Sequence, residues 1–337
     1  METLKQLIII ADDFGYSDKR DEGIIECFKT GAITGVSLMV NGYSAERAVT
    51  HAKNVGLPLD LHLNLTEGRP LSNDVGSFTN DNGFMLGKMG FREAIYNGLV
   101  DLKEIKQEMQ AQIDIFYSMT GFKPVKVDGH QHVHIIPGIS EIFAQTLSEN
   151  QIPYTRLPYE TGIIEHDWRT SDVQRFKIQL VEQSVEAAKI YTKYNIKYPY
   201  FIGLKTMGQD MSVQRLQQFI SDVFNLTSND EKSKVIEGQG SEDSSKVHKS
   251  TRQRPYGMLK AGAEDTSGDV LTCELMSHPG KVTGNVGGCG AGPDMFSQSY
   301  DRKHEMNILC SPEMISFYSQ KNIFLVSFAS LAKKIVI

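Results

Sequence analysis

A run of apolar, mostly β-branched residues, Leu7-Ile8-Ile9-Ile10-Ala11, ends abruptly in two adjacent carboxylates, Asp12-Asp13, followed by Phe14-Gly15. Such a run reads as a strand buried on both faces, the mark of a parallel sheet covered by helices. The two acids sit where that strand must open to solvent. Like charges this close repel, so they need a cation, a shared proton or divergent directions. A solvated turn with one aspartate capping the next helix also fits, and the remaining chain has to decide.

The pattern that follows alternates. Ile24, Ile25 and Phe28 recur at helical spacing over 18–30, with Gly31 placed to end the helix. Further strands are expected at 33–40, 59–65, 125–128, 153–157, 200–206, 270–276 and 323–328. Helices are expected between them at 44–54 (capped by Ser44), 102–119, 139–150, 171–194, 212–225 and 299–319, the last broken or restarted at Pro312. Residues 66–90 and 284–292 read as long loops. Alternation of this kind implies parallel strands with helices outside. The expected architecture is therefore α/β, a distorted (β/α) barrel formed by one domain over 1–337. One stretch departs from the pattern: about 227–268 is rich in Ser, Asp, Glu, Lys and Gly and is expected to be a disordered insertion.

Composition removes several function classes. A net charge of −6 gives no electrostatic case for nucleic acid or an anionic membrane surface. No apolar run approaches the length that spans a bilayer, and Met1-Glu2-Thr3 leads straight into the first strand without a signal peptide. The 4 cysteines are scattered without C-x-x-C spacing, which points to reduced thiols and a cytoplasmic location.

The chemistry-bearing residues gather at strand ends. Asp12 and Asp13 follow the first strand, and His62 lies opposite a leucine face in Leu61-His62-Leu63-Asn64-Leu65. His130, His132 and His134 follow the 125–128 strand, Arg156 ends the next, and His278 follows the 270–276 strand. In a parallel barrel all these positions converge on one mouth, where active sites are built. Two imidazoles and at least one carboxylate facing one point describe a divalent metal site with open positions for water and substrate. A second carboxylate beside it would serve as general base. Spacing alone leaves open which aspartate takes which role, and which histidine of the triple is a ligand. The glycine-rich 284–292 segment matches neither a phosphate-binding loop nor a dinucleotide fingerprint, and Cys289 within it has no motif that would make it a nucleophile.

Four segments carry a resemblance: Ala-Asp-Asp-Phe-Gly (11–15), Leu-His-Leu-Asn-Leu-Thr-Glu-Gly (61–68), Asp-Gly-His-Gln-His-Val-His (128–134) and Glu-Leu-Met-Ser-His-Pro-Gly (274–280). In this order they resemble the YdjC/ChbG family of carbohydrate deacetylases, and the Gly-Gly-Cys-Gly-Ala-Gly-Pro-Asp loop resembles its animal members. The resemblance implies a barrel related to polysaccharide deacetylases that removes acetyl groups from N-acetylated sugars with one divalent metal ion, Mg2+ or Zn2+. It implies Asp12 as proton acceptor and Asp13, His62 and His130 as metal ligands. Its late histidine motif maps to His278, the first choice for a protonated general acid, with His132 the second; Arg156 is left to orient Asp12 or bind a sugar hydroxyl. The implied partner is an N-acetylated mono- or oligosaccharide, with no nucleic acid and no membrane, and a homodimer stays open. The competing readings are a non-haem iron oxygenase, a metal phosphoesterase, and a sugar-binding or scaffold protein that merely keeps the metal site.

Overall fold

A computed structural model of the chain describes residues 3–73, 75–160, 163, 171–233, 270–290 and 292–333. Seven strands are present among them: β1 (Leu4–Phe14), β2 (Gly35–Leu38), β3 (Leu59–Leu63), β4 (Val127–Gly129), β5 (Tyr200–Ile202), β6 (Val270–Ser277) and β7 (Ile323–Leu325). All pairings are parallel, in the order β4-β3-β2-β1-β6-β5, and β7 joins β1 at Lys5–Leu7, below the stretch that pairs with β2.

The strand expected at 153–157 contracts to a bridge through Tyr154, which pairs with Lys126 on one side and Lys197 on the other. Pro153 and Pro158 bracket this segment and cannot donate to a ladder, so only a short stretch can pair. That stretch is enough to link the two edges of the curled sheet, since Val127 N–H donates to Tyr154 and Thr155 N–H to Lys197. The distorted (β/α) barrel is thus present, with one strand reduced to a clasp.

Helices α1 (Asp18–Lys29), α2 (Ala45–Val55), α3 (Gly87–Tyr96), α4 (Leu102–Thr120), α5 (Ile139–Glu149) and α6 (Asp172–Lys193) connect the strands of the first half. They are followed by α7 (Val213–Ser233), α8 (Met295–Gln298), α9 (Asp301–Leu309), α10 (Pro312–Gln320) and α11 (Phe328–Lys333). Local chemistry sets many of their ends. Ser17 accepts from Arg20 N–H at the start of α1, and Gly31 follows its end with φ +75°. Pro312 begins α10 behind the Ser311 cap, so the 299–319 helix is two helices. Ser44 precedes α2 as expected but makes no side-chain cap there; its hydroxyl donates instead to the buried Asp21. Helix α7 runs past Asn225 to Ser233, so the start of the expected 227–268 insertion is helical, and the rest of that stretch lies outside the described residues. Among the described residues no helix is long and apolar enough to cross a membrane.

The period-2 alternation of β1 sorts its residues into two cores. Leu7, Ile9 and Ala11 face outward into the main core under the helices. Ile8 and Ile10 face inward and form a separate cluster with Tyr154, Phe328 and Leu331, which plugs the closed end of the barrel. Asp12 continues that inward face, one step above the plug. Inward positions of other strands are polar at the same level, so the barrel carries a layer of charge above its apolar floor.

Candidate active site

Two consecutive residues of a regular strand point to opposite faces, so Asp12 and Asp13 could not both address the mouth without a break. The break is a bulge. Ala11 pairs with Val36 and Phe14 with Leu38, so two residues of β1, Asp12 and Asp13, stand against one of β2, Ser37. Asp13 sits in it with φ +58°, a left-handed conformation that costs a side chain and is tolerated best by Asn and Asp. Gly15, at φ +90°, completes the turn; a Cβ there would lie 3.1 Å from both the Ala45 Cα and the Met39 carbonyl.

Each aspartate has its own arginine. Arg156 grips Asp12 with two parallel hydrogen bonds, Nη1–Oδ2 at 2.6 Å and Nη2–Oδ1 at 2.8 Å. Arg20 of α1 pairs with Asp13 Oδ2 at 3.0 Å, leaving Oδ1 for the mouth. Burial favours the neutral acid at Asp12, but Arg156 and His62 outweigh it and hold the carboxyl below its usual range. At Asp13 burial is likewise overcome, by Arg20 and His130, and the carboxyl is held well below that range. Both therefore stay ionised despite their proximity.

Three donors converge at the mouth. Asp13 Oδ1 lies 3.2 Å from His62 Nε2 and 3.0 Å from His130 Nδ1, and the two ring nitrogens are 3.3 Å apart. Asp13 Oδ1 is buried yet makes no hydrogen bond. Ligands about 2.0–2.2 Å from a common ion sit roughly 3.0–3.5 Å from each other, so this set fits one divalent cation without rearrangement. A neighbouring trio of Asp12, His62 and Asp128 is also close together, but Arg156 already lies between its two carboxylates, 2.9 Å from Asp128. A second cation there would meet the guanidinium.

Further carboxylates fix the imidazoles. His62 Nδ1 lies 3.0 Å from Asp128 Oδ1, and His130 Nε2 lies 3.2 Å from Glu67 Oε1. A carboxylate on the far nitrogen sets the ring orientation and leaves the near nitrogen's lone pair free for a ligand. Burial lowers the basicity of both histidines, but the surrounding acids prevail: Asp128 and Asp12 raise His62, and Asp13 and Glu67 push His130 up to about 10. Beneath them lies the charged layer. Lys126 contacts Asp128 at 2.7 Å and the Ser37 hydroxyl at 2.9 Å, and Arg156 contacts Glu274 Oε1 at 2.7 Å.

The remaining expected residues also face the mouth. His278 Nε2 is 3.8 Å from Asp12 Oδ2; the ring stands edge-on to Phe296, and its backbone N–H is anchored by Glu305. His132 lines the same cavity, with Gln131 and His132 both left-handed at φ 54° and 58°. Arg92 holds the Gln131 carbonyl at 3.0 Å, which helps stabilise that turn. His134 does not reach the mouth: Nδ1 accepts from Gly129 N–H and Nε2 lies 3.0 Å from the Arg156 carbonyl. The Nδ1 atoms of His132 and His278 are buried without hydrogen-bond partners. Neither ring is held protonated. Burial, reinforced by Arg156 and other cations, takes His132 well below its usual value; burial takes His278 down to about 3 against the pull of Asp12 and Asp13.

The cavity above this floor has a volume of about 310 Å3. Lys88, Phe176 and Lys177 line one side, and Asp294 and Phe296 contribute from the segment after the glycine-rich loop. That loop packs against the site: Gly288 N–H donates to Tyr16, and Cys289 is buried 3.6 Å from the Asn64 amide. Arg20, Glu67, Asp128, Glu274 and Lys126 were not among the residues expected from sequence. For Lys126, Asp128 and Glu274 a signal existed, since period-2 spacing puts the first two on one face of the segment that leads into β4 and Glu274 on the same face as His278.

The family model described as YdjC-like protein matches residues 6–320. A carbohydrate deacetylase of Danio rerio is 37% identical over 327 residues, covering 96% of this chain and 97% of its own length. The Homo sapiens carbohydrate deacetylase is 35% identical over 334 residues, covering 98% and 92%. A chitooligosaccharide deacetylase of Serratia marcescens is 40% identical over 145 residues, 42% of this chain and 56% of its own. Among solved structures, an Enterococcus faecalis protein whose name provisionally links it to cellobiose-phosphate cleavage superposes with a TM-score of 0.62 at 21% identity, over 98% of this chain and 99% of that one. The last supports the fold alone; the family match and the full-length relatives settle the lineage, and the chain belongs to the YdjC-like family.

Proposed function

We propose that this protein is a hydrolase that removes acetyl groups from N-acetylated carbohydrates, with one divalent cation held by Asp13, His62 and His130. The observation that carries the reading is the convergence of Asp13 Oδ1, His62 Nε2 and His130 Nδ1 to within 3.0–3.3 Å of one another, with ionised Asp12 beside them and outside the set. The names of the full-length relatives supply the substrate class.

A cation bound there would polarise the acetamide carbonyl and acidify a water molecule. Two histidines favour zinc by ligand softness, and open water positions leave magnesium admissible. Asp12 accepts the proton of the attacking water. Its hydrogen bonds to Arg156 fix its plane, so Arg156 acts as a positioning residue. His278, neutral at rest and 3.8 Å from Asp12, is the residue we assign to carry that proton onward. The imidazolium formed from so weakly basic an imidazole is a strong acid, suited to protonating the departing amine. His132, with an unpartnered Nδ1 in the same cavity, is the alternative donor.

Free thiols at all 4 cysteines accord with a cytoplasmic setting. The test is acetate release from N-acetylglucosamine and its oligomers. Release that depends on the cation supports the reading, and none from any of them would leave a sugar-binding protein that keeps the metal site.

A further inference from the structure

Away from the mouth, Cys27 of α1 and Cys310, the residue that ends α9, bring their sulfurs to 3.6 Å although 283 positions separate them. Cys27 is fully buried, while Cys310 is half-exposed. The Thr30 hydroxyl lies 3.3 Å from the Cys310 sulfur and also donates to the Cys27 carbonyl. Nothing in the proposed hydrolysis uses either thiol. The other cysteines, Cys273 and Cys289, are buried.

The surroundings of the pair are unequal. The contact with the Cys27 sulfur, with Thr30 and the Lys303 ammonium also helping against burial, lowers the Cys310 thiol to about 6. The same contact, together with burial, pushes the Cys27 thiol up. One sulfur is thus accessible, and a buried thiol is held directly against it at 3.6 Å. That is the arrangement of an attacking cysteine and its resolving partner.

We propose that Cys310 and Cys27 form an oxidation site for hydroperoxides, closing to a reversible intramolecular disulfide. The Cys310 thiolate attacks one peroxide oxygen and the O–O bond breaks. Sulfur is oxidised to the sulfenic acid, and the peroxide is reduced to water or an alcohol. The Cys27 sulfur then attacks the Cys310 sulfur, the S–O bond breaks, and hydroxide leaves with the Cys27 proton as water. A dithiol restores both cysteines by exchange. The sulfurs must close by about 1.5 Å to reach disulfide bonding distance. Cys310 sits at the junction between α9 and α10, next to the Ser311 cap, where a small backbone shift breaks no helix. The bond would join the helix that carries Arg20 to Asp13 with the one that carries Glu305 to the His278 backbone.

The test exposes the purified full-length chain to equimolar hydrogen peroxide, then counts thiols after denaturation and maps peptides without reduction. The expected result is a fall from 4 thiols to two, a monomer lighter by two hydrogens, a Cys27–Cys310 linked peptide, and recovery of all thiols with dithiothreitol. In Cys27→Ser the sulfenic acid should persist on Cys310 and be trapped by a cyclic dione. In Cys310→Ser no thiol should be lost at this dose. Prior oxidation of Cys273 or Cys289, linkage only between two chains, or equal thiol loss in Cys310→Ser would each overturn the proposal. Should a serine variant fail to fold, the peptide map of the unmodified chain decides alone.

Discussion

Arg156 holds both oxygens of Asp12, at 2.6 and 2.8 Å, while the same guanidinium contacts Asp128 at 2.9 Å and Glu274 at 2.7 Å. One buried cation therefore serves three buried carboxylates, with Lys126 sharing Asp128 and Glu274. A buried ion cluster adds little stability when intact, but removing a single partner strands the others in a poorly solvated interior. Arg156→Met should lower stability by about 3–5 kcal/mol. Arg156→Lys, which keeps the charge and loses the fork, should cost less stability while still disordering Asp12 and reducing turnover. Urea denaturation read beside acetate release checks both, and an Arg156→Met protein as stable as the parent would refute the cluster's role.

Asp128 and Glu67 occupy equivalent places, one behind each imidazole of the proposed cation site. Asp128→Asn and Glu67→Gln should each weaken cation affinity about 10–100-fold. Titration calorimetry with zinc on chelator-stripped protein measures this directly. Glu67→Gln should lower the melting temperature of the metal-free protein less than Asp128→Asn does, because the Glu67 side chain is 22% exposed and that of Asp128 is fully buried; a larger loss at Glu67 would reassign it to a purely structural role.

Stability should depend on pH through Asp21, a buried residue in the first turn of α1. Burial raises its carboxyl to about 7, against the opposing bonds from Ser44 and Gly15. Between the ordinary value of 3.8 and about 7 the folded protein keeps this proton and the unfolded chain does not. Its contribution is thus complete below pH 3.8 and is lost as pH rises toward 7. Asp60 is raised to about 7 by burial, against Lys126, and acts in the same window. Asp12, Asp13 and Asp128 have the opposite sign and act at lower pH. Unfolding free energies of Asp21→Asn measured from pH 4 to 7 should fall less steeply than those of the parent, and parallel curves would contradict the assignment.

Much of the site could be read from local pattern because each of its mouth-facing residues ends a strand of recognisable composition. Asp12-Asp13, His62, His130 and His278 announce themselves by rarity and position in chains of apolar residues. What local pattern could not carry was the identity of the counter-charges. Arg20 stands between Lys19 and Asp21 at the start of a helix, where a surface charge would look the same. Glu67 lies in a loop whose path depends on Asn64 and Asn41 side chains bonding its carbonyl. The bulge at Asp13 is likewise invisible to alternation, since it is set by pairing with β2. The 153–157 segment has the composition of a strand, and the prolines at both ends limit how far it can pair.

The central claim is the division of labour between adjacent aspartates, and Asp12→Asn tests it most directly. Metal per chain by elemental analysis and acetate release from an N-acetylglucosamine oligomer should be measured on the same sample. The account predicts metal content equal to the parent, because Asp13, His62 and His130 are untouched, with turnover reduced by about 10²–10⁴-fold. Loss of the metal, or turnover close to that of the parent, would contradict it.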